Sequence, residues 1–224
     1  MAAPTEKPIF ELKDCALVSL ATGRRAQSLG ELRDNLAAVE PESLYHHFWG
    51  DMLRPRFDEP EFKNDFAAWA RHALHDYVLS ERLALVDPTL FESLEELRAE
   101  VVEICEERLH EVDRAVWAPR DQRFHFLTST LVVFDTGERL EDPAELAAVV
   151  PRLPRGSIYY HFIDARRRHP DGVDDFRAWL RDRQNGYGAL CDQLCEVDPF
   201  FSTLLETRET LAGIFSSWFN GGGR

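Results

Sequence analysis

The chain has 224 residues, 44% of them hydrophobic, enough to bury a core of ordinary proportions in one large domain or two small ones. A formal charge of −14 excludes the usual nucleic-acid binder, because a phosphate ladder rewards clustered Lys and Arg and repels an acidic surface. The longest apolar runs, such as Leu131 to Phe134, are far too short to cross a bilayer, and Met1 to Pro8 has neither a basic nor an apolar leader region. The expected address is therefore the cytoplasm, with no membrane partner. Cys15, Cys105, Cys191 and Cys195 show no CxxC and no framework spacing, so they read as reduced thiols.

In chain order, Met1 to Pro8 and Gly221 to Arg224 read as tails. Phe10 to Leu20 aligns without a gap on Phe124 to Phe134. The second copy is dense in β-branched and aromatic residues and runs into Asp135-Thr136-Gly137, which predicts a strand stopped by a turn. The first copy is a weaker strand and could be helical. Each copy then opens a helix at capping-box spacing, Ser28 with Glu31 and Asp142 with Glu145. Apolar stripes follow at Leu29, Leu32 and Leu36, and at Leu146, Val149 and Val150, and the helices end before Pro41 and Pro151. A short helix starts at Ser43 or Ser157 and carries Ser-Leu-Tyr-His-His-Phe or Ser-Ile-Tyr-Tyr-His-Phe. After an irregular link, both copies restart on Asp65-Phe66-x-x-Trp69 and Asp175-Phe176-x-x-Trp179, the aspartate read as an N-cap and the aromatic pair as a core anchor. That helix runs through Tyr77 or Tyr187 to a stop at Asp87-Pro88 or Asp198-Pro199, and a last helix spans Leu94 to Val112 or Leu204 to Phe219.

The elements are written twice. Thr22 to Phe48 aligns with Thr136 to Phe162 without a gap, with identical Thr, Gly, Arg, Glu, Leu, Ser, Tyr, His and Phe. A tandem duplication is the reading, with repeat one at 10–114, repeat two at 124–219, and the two together forming one compact pseudo-symmetric domain. The expected fold class is mainly α, with α+β as the alternative: tandem-duplicated helical repeats about a pseudo-twofold, with a small central two-stranded antiparallel sheet possible.

A polar residue kept in both copies has a structural or functional reason to stay. Caps, turns and Asp-Pro stops account for most of them. Arg25, Tyr45 and His47, with Arg139, Tyr159 and His161, remain as candidate ligand-binding residues. For the histidines the plain reading is a buried ring bonded to backbone or tyrosine; the functional one is a pocket between the repeats where imidazole acts as acid, base or ligand. No metal is expected, since no HxxxH or ExxH pair is retained in both halves, and His72-x-x-His75 faces Asp182 and Asn185 in the other copy. Arg166, Arg167 and Arg168 form a candidate anion site within a basic stretch that also holds Arg152, Arg155 and His169; the plain reading is a solvated loop paired with nearby acids. Cys191 and Cys195 read as packing residues. Trp49, Trp117 and Trp218 have no counterpart in the other copy and are candidate interface marks. No nucleophile elbow, P-loop, dinucleotide fingerprint or zinc signature is present, so neither a catalytic residue nor a cofactor is expected.

The series Thr-Gly-x-Arg, Ser-[Leu/Ile]-Tyr-x-His-Phe, Asp-Phe-x-x-Trp and Asp-Pro, occurring twice between Phe10 and Phe219, resembles an uncharacterised bacterial and archaeal two-repeat family known only as a domain of unknown function. The resemblance implies no activity; a neighbourhood of carbohydrate-active enzymes is the one context it suggests. The expected function is a non-catalytic binding or regulatory module that recognises a protein partner or its own copy. The alternative is an enzyme or small-molecule sensor, linked to carbohydrate metabolism, with its pocket between the two Tyr-x-His-Phe helices.

Overall fold

The structure, a computed structural model, describes residues 8–54, 60–114, 116–183 and 186–221. Apart from Pro8 and Gly221, the expected tails lie outside the described residues, as does Asn185. Two strands of 17 residues each, β1 (Phe10–Ala26) and β2 (Phe124–Leu140), form a two-stranded antiparallel sheet. This overturns the expectation of a mainly α chain of tandem helical repeats with a possible small sheet: the described residues are 57% helix and 17% strand, and the strands are long and central. The reason lies in the Thr-Gly pairs, which the sequence suggests are turns. Gly23 and Gly137 have φ of +81° and +75°, a conformation that L side chains resist, yet each strand bends there and continues, to Ala26 and Leu140. The Thr22 hydroxyl donates to the Phe126 carbonyl at 2.7 Å and the Thr136 hydroxyl to the Leu12 carbonyl at 2.6 Å, which pins the register near both ends of the pair.

The chain divides into two compact units, one formed by Met1–Ala16 with Leu131–Arg224 and the other by Leu17–Thr130. Their bounds differ from those of the repeats, because the opening residues of each strand belong with the helices of the other copy.

In the unit Leu17–Thr130 the helices are α1 (Leu29–Leu36), α2 (Pro41–Trp49), α3 (Asp65–His72), α4 (Tyr77–Ala84) and α5 (Leu94–Glu111). α5 packs on α1, α2 and α4, and α3 packs on α4. Phe66 is fully buried and stacks on Phe124 of β2 at 5.1 Å, while the Trp69 indole N–H donates to the Gln122 carbonyl at 2.7 Å. Burying one such ring contributes about 2–3 kcal/mol. The helix expected to run through Tyr77 instead breaks before it, at His75, whose φ is +54°; Arg71 then lies over the Tyr77 ring at 4.0 Å.

In the unit of Met1–Ala16 and Leu131–Arg224 the helices are α6 (Leu146–Val149), α7 (Arg155–Ile158), α8 (Ala165–Arg168), α9 (Asp175–Arg181), α10 (Gly188–Cys195) and α11 (Leu204–Asn220), with a π-helical turn at Tyr159–Asp164. α11 packs on α6, α7 and α10. Phe176 is fully buried and stacks on Phe10 of β1 at 5.4 Å, and the Trp179 indole donates to the Pro8 carbonyl at 2.7 Å. Gly156 lets β1 approach α7, since a Cβ there would collide with Asp14 and the Cys15 backbone; its carbonyl accepts from the Cys15 thiol at 3.2 Å. Burial pushes that thiol up to about 12, so it stays protonated and unreactive.

Candidate functional site

The helix caps decide where the site chemistry goes. Asp65 and Asp175 are not N-caps. Asn64 caps α3 by accepting from the Ala67 N–H, and Asp174 caps α9 by accepting from the Arg177 N–H. One position into each helix, the aspartates are free to meet a histidine. His47 Nδ1 lies 2.7 Å from Asp65 Oδ2, and its Nε2 accepts the backbone N–H of Leu127 in β2 at 3.0 Å. In the other unit His161 Nδ1 lies 2.7 Å from Asp175 Oδ2, and its Nε2 accepts the N–H of Lys13 in β1 at 2.9 Å. Because Nε2 is the acceptor, each ring carries its proton on Nδ1 and donates it to the aspartate. Each imidazole is thus a pin from the start of a helix to a strand, with both nitrogens committed.

The surroundings of the two pins differ. Asp175 also accepts from Arg168 Nη2 at 2.9 Å and meets His169 Nε2 at 2.8 Å. Burial pushes its pKa up, but the bonds from His161 and Arg168 outweigh this and hold it below the usual carboxylate range. Arg168 lies over the Tyr160 ring at 4.0 Å and bonds the Tyr160 carbonyl at 2.8 Å. Beside His47 stands His46 rather than tyrosine. It is 2% exposed, it sits edge-on to His47 at 5.2 Å, and its Nδ1 is buried with no hydrogen-bond partner among the described residues. Burial first, then the neighbouring His47, lowers its pKa to about 4, so the ring stays neutral at ordinary pH. Gly50 admits the ring, as a Cβ there would strike Nδ1.

His46, His47 and Asp65 place three ligand-type atoms within 4.8 Å of one another, a donor set of the kind that holds zinc. The hydrogen bonds limit it. The lone pair of His47 is given to Leu127 N–H and its proton to Asp65, so a cation would have to break the bond to β2.

The other sequence candidates are dispersed. Tyr45 is buried beside Trp49, and Tyr159 is fully buried. Ser43 is not a cap either: its hydroxyl donates to the Leu127 carbonyl at 2.7 Å. Arg25 lines a polar groove of about 450 Å³ with Gln27, Glu31, Asp34, Asn35 and Arg123. Arg139 is held by Asp135 at 2.8 Å and by Glu11 at 3.3 Å. The three arginines of the candidate anion site do three different jobs. Arg166 is half-buried, donates to the Phe162 carbonyl and lies over the Phe162 ring at 4.9 Å. Arg167 and Arg168 bond opposite oxygens of buried Asp164, at 2.6 and 3.1 Å, and Arg168 also takes Asp175.

One feature has no counterpart among the sequence candidates. Leu131 is half-buried, but Val132, Val133 and Phe134 are 40%, 43% and 49% exposed. On β1, Val18 and Leu20 are exposed as well. Neighbouring residues of a strand point to opposite faces, so β2 is bare on both faces at Val132 and Val133. The run of four apolar residues without alternation was the available signal, since a sheet with one covered face alternates. Trp49 is buried and Trp117 is exposed, its backbone bridged to Ser28.

No helix of the described residues is long and apolar enough to cross a membrane. No curated protein matches the chain. A solved structure, that of OrfY from Thermoproteus tenax, is similar at 27% identity over 94% of this chain and 95% of its own, with a TM-score of 0.81. The family model described as "Family of unknown function (DUF5752)" matches residues 7–216, and the chain belongs to that family.

Proposed function

We propose that this protein is a non-catalytic binding module that acts by protein association, through the exposed part of the strand pair. The observation that carries this reading is the uncharged stretch Thr128–Phe134, which ends in three exposed apolar residues on a strand with no second partner strand among the described residues. Beyond Leu127, whose N–H and carbonyl are taken by His47 and Ser43, such an edge can offer its N–H and C=O groups to another chain. The commitment of both nitrogens of His47 and His161 supports a structural task for the Tyr-x-His-Phe signal and weighs against the sensor or enzyme alternative. The recurrence of the same bonds at positions 114 apart, Lys13 with Leu127 and Leu12 with Phe126, supports the tandem-repeat reading.

The test is size-exclusion with light scattering, followed by pull-down from native lysate, on the natural chain and on Val133→Lys. A complex, with itself or with another protein, is expected for the natural chain and lost in the variant at an unchanged unfolding temperature. A variant that associates as well as the natural chain removes the strand from the reading.

A further inference from the structure

We propose that His46 and Asp65 form a binding site for a divalent transition-metal ion, zinc above all, which would join α2 to the start of α3 beside the His47 pin. The site is separate from the association reading and does not depend on it. Its donors lie within one unit, and ligand-type atoms of His46, His47 and Asp65 are within 4.8 Å of one another. Zinc bonds of about 2 Å to imidazole nitrogen and carboxylate oxygen set two donors of one ion roughly 3–4 Å apart, so this spacing closes on an ion with small side-chain rotations.

The other copy shows what is missing here. Asp175 has both oxygens taken, Oδ2 by His161 and Arg168 and Oδ1 by His169. Asp65 gives Oδ2 to His47, and no arginine or lysine pairs with it among the described residues. Where the other copy sets Tyr160, this one sets His46, 2% exposed, with its Nδ1 buried and unpartnered among the described residues. A buried polar atom without a partner is costly. A metal ion answers both needs: it takes the lone pair of the His46 ring and the second oxygen of Asp65, and it supplies the positive charge that Arg168 brings to Asp175. His47 cannot be a ligand without giving up its bond to Leu127, and it need not be one. Its Nδ1–H holds Oδ2 of Asp65 and so orients the carboxylate, as groups behind a metal ligand do. The Asp65 side chain is 33% exposed, which gives the ion an approach from solvent and water for its remaining positions. Imidazole with carboxylate suits zinc, whereas magnesium prefers oxygen donors.

Zinc binding to the full chain tests this, in a Cys195→Ser background because Cys195 is the exposed thiol. A single equivalent of zinc is expected to bind and to raise the unfolding temperature, and magnesium to do neither. Asp65→Asn, whose amide oxygen can still accept from His47, and His46→Tyr, which copies Tyr160, are each expected to weaken binding by more than about tenfold. His72→Ala, which removes an exposed imidazole, is expected to leave it unchanged. Nitrogen-15 spectra of the imidazole rings need no substitution at the site: zinc is expected to shift the His46 nitrogens and to leave His47 with its proton on Nδ1. A chain that takes up no zinc at high micromolar concentration overturns the proposal. So does binding that survives His46→Tyr or disappears with His72→Ala, or a zinc-dependent shift at other rings in place of His46.

Discussion

The pins at His47 and His161 carry the same bonds and differ in what surrounds them. At Asp175 three cationic or imidazole groups converge on one carboxylate whose side chain is 14% exposed; at Asp65 the side chain is 33% exposed, and His47 is its hydrogen-bond partner among the described residues. One unit holds Tyr160 under Arg168, and the other holds a neutral, buried His46 at the matching position. The backbone shifts with them: the signal lies on a regular helix in one copy and on a π turn in the other. What both copies retain is the bridge from helix to strand. What they vary is the charge placed around it, and this sets how much each bridge is worth.

Asp175→Ala should produce the largest separation between the two. It leaves Arg168, His169 and His161 facing a hole, and the loss of a largely buried ionic cluster costs about 4 kcal/mol, against about 2 kcal/mol for Asp65→Ala, where water can replace the carboxylate. Urea unfolding of both variants checks the difference; equal losses would mean that the extra partners of Asp175 add nothing.

The pH response between about 6.5 and 4 should come next, and its source is His46. His46 has a folded pKa of about 4 against an ordinary value near 6.5, so the unfolded chain takes up a proton first as pH falls. Stability is full above about 6.5 and is lost between there and about 4, by roughly 3 kcal/mol in total. The neighbouring groups are His47, Asp65 and Arg54. His46→Tyr, which copies Tyr160, should flatten this part of the curve. A wild-type slope surviving in that variant would assign the effect elsewhere.

Smaller and equal effects are expected where the copies agree. Gly23→Ala and Gly137→Ala should each cost about 1–2 kcal/mol, because both bends need positive φ and neither has a crowded Cβ position to complicate the result. Thr22→Val and Thr136→Val should each cost about 1 kcal/mol through the lost bond to the opposite strand. Thermal unfolding of each pair reads the match, and a twofold disagreement within either pair would show that the two ends of the sheet are not equivalent in energy.

Much of the local structure is legible in the residues. The Leu stripe of α1, the Phe-Trp anchors of α3 and α9 and the position of the last helices follow from periodicity, which needs only near neighbours. The capping box at Asp142 and Glu145 forms as its spacing predicts. Ser28 accepts from Glu31 as expected, but Glu31 reaches back to Gln27 rather than to Ser28. The aspartates were harder to place. Asp65 and Asp175 look like caps because each opens a helix, and nothing local says that Asn64 and Asp174 take that task instead. Thr-Gly is ambiguous in the same way: positive φ fits a turn or a bend within a strand, and the choice depends on whether a partner strand lies alongside.

The sequence by itself determined that the chain carries one signal twice, that Phe66, Trp69, Phe176 and Trp179 are core, and that His47 and His161 serve the same end. Tertiary structure alone decided what that end is. The Leu127 and Lys13 amides reach those imidazoles from far along the chain, and local spacing cannot encode a hydrogen bond closed over such separations. The exposure of Val132, Val133 and Phe134 was decided there too, because an apolar run shows that burial is favourable and only the assembled fold shows which faces are left to bury.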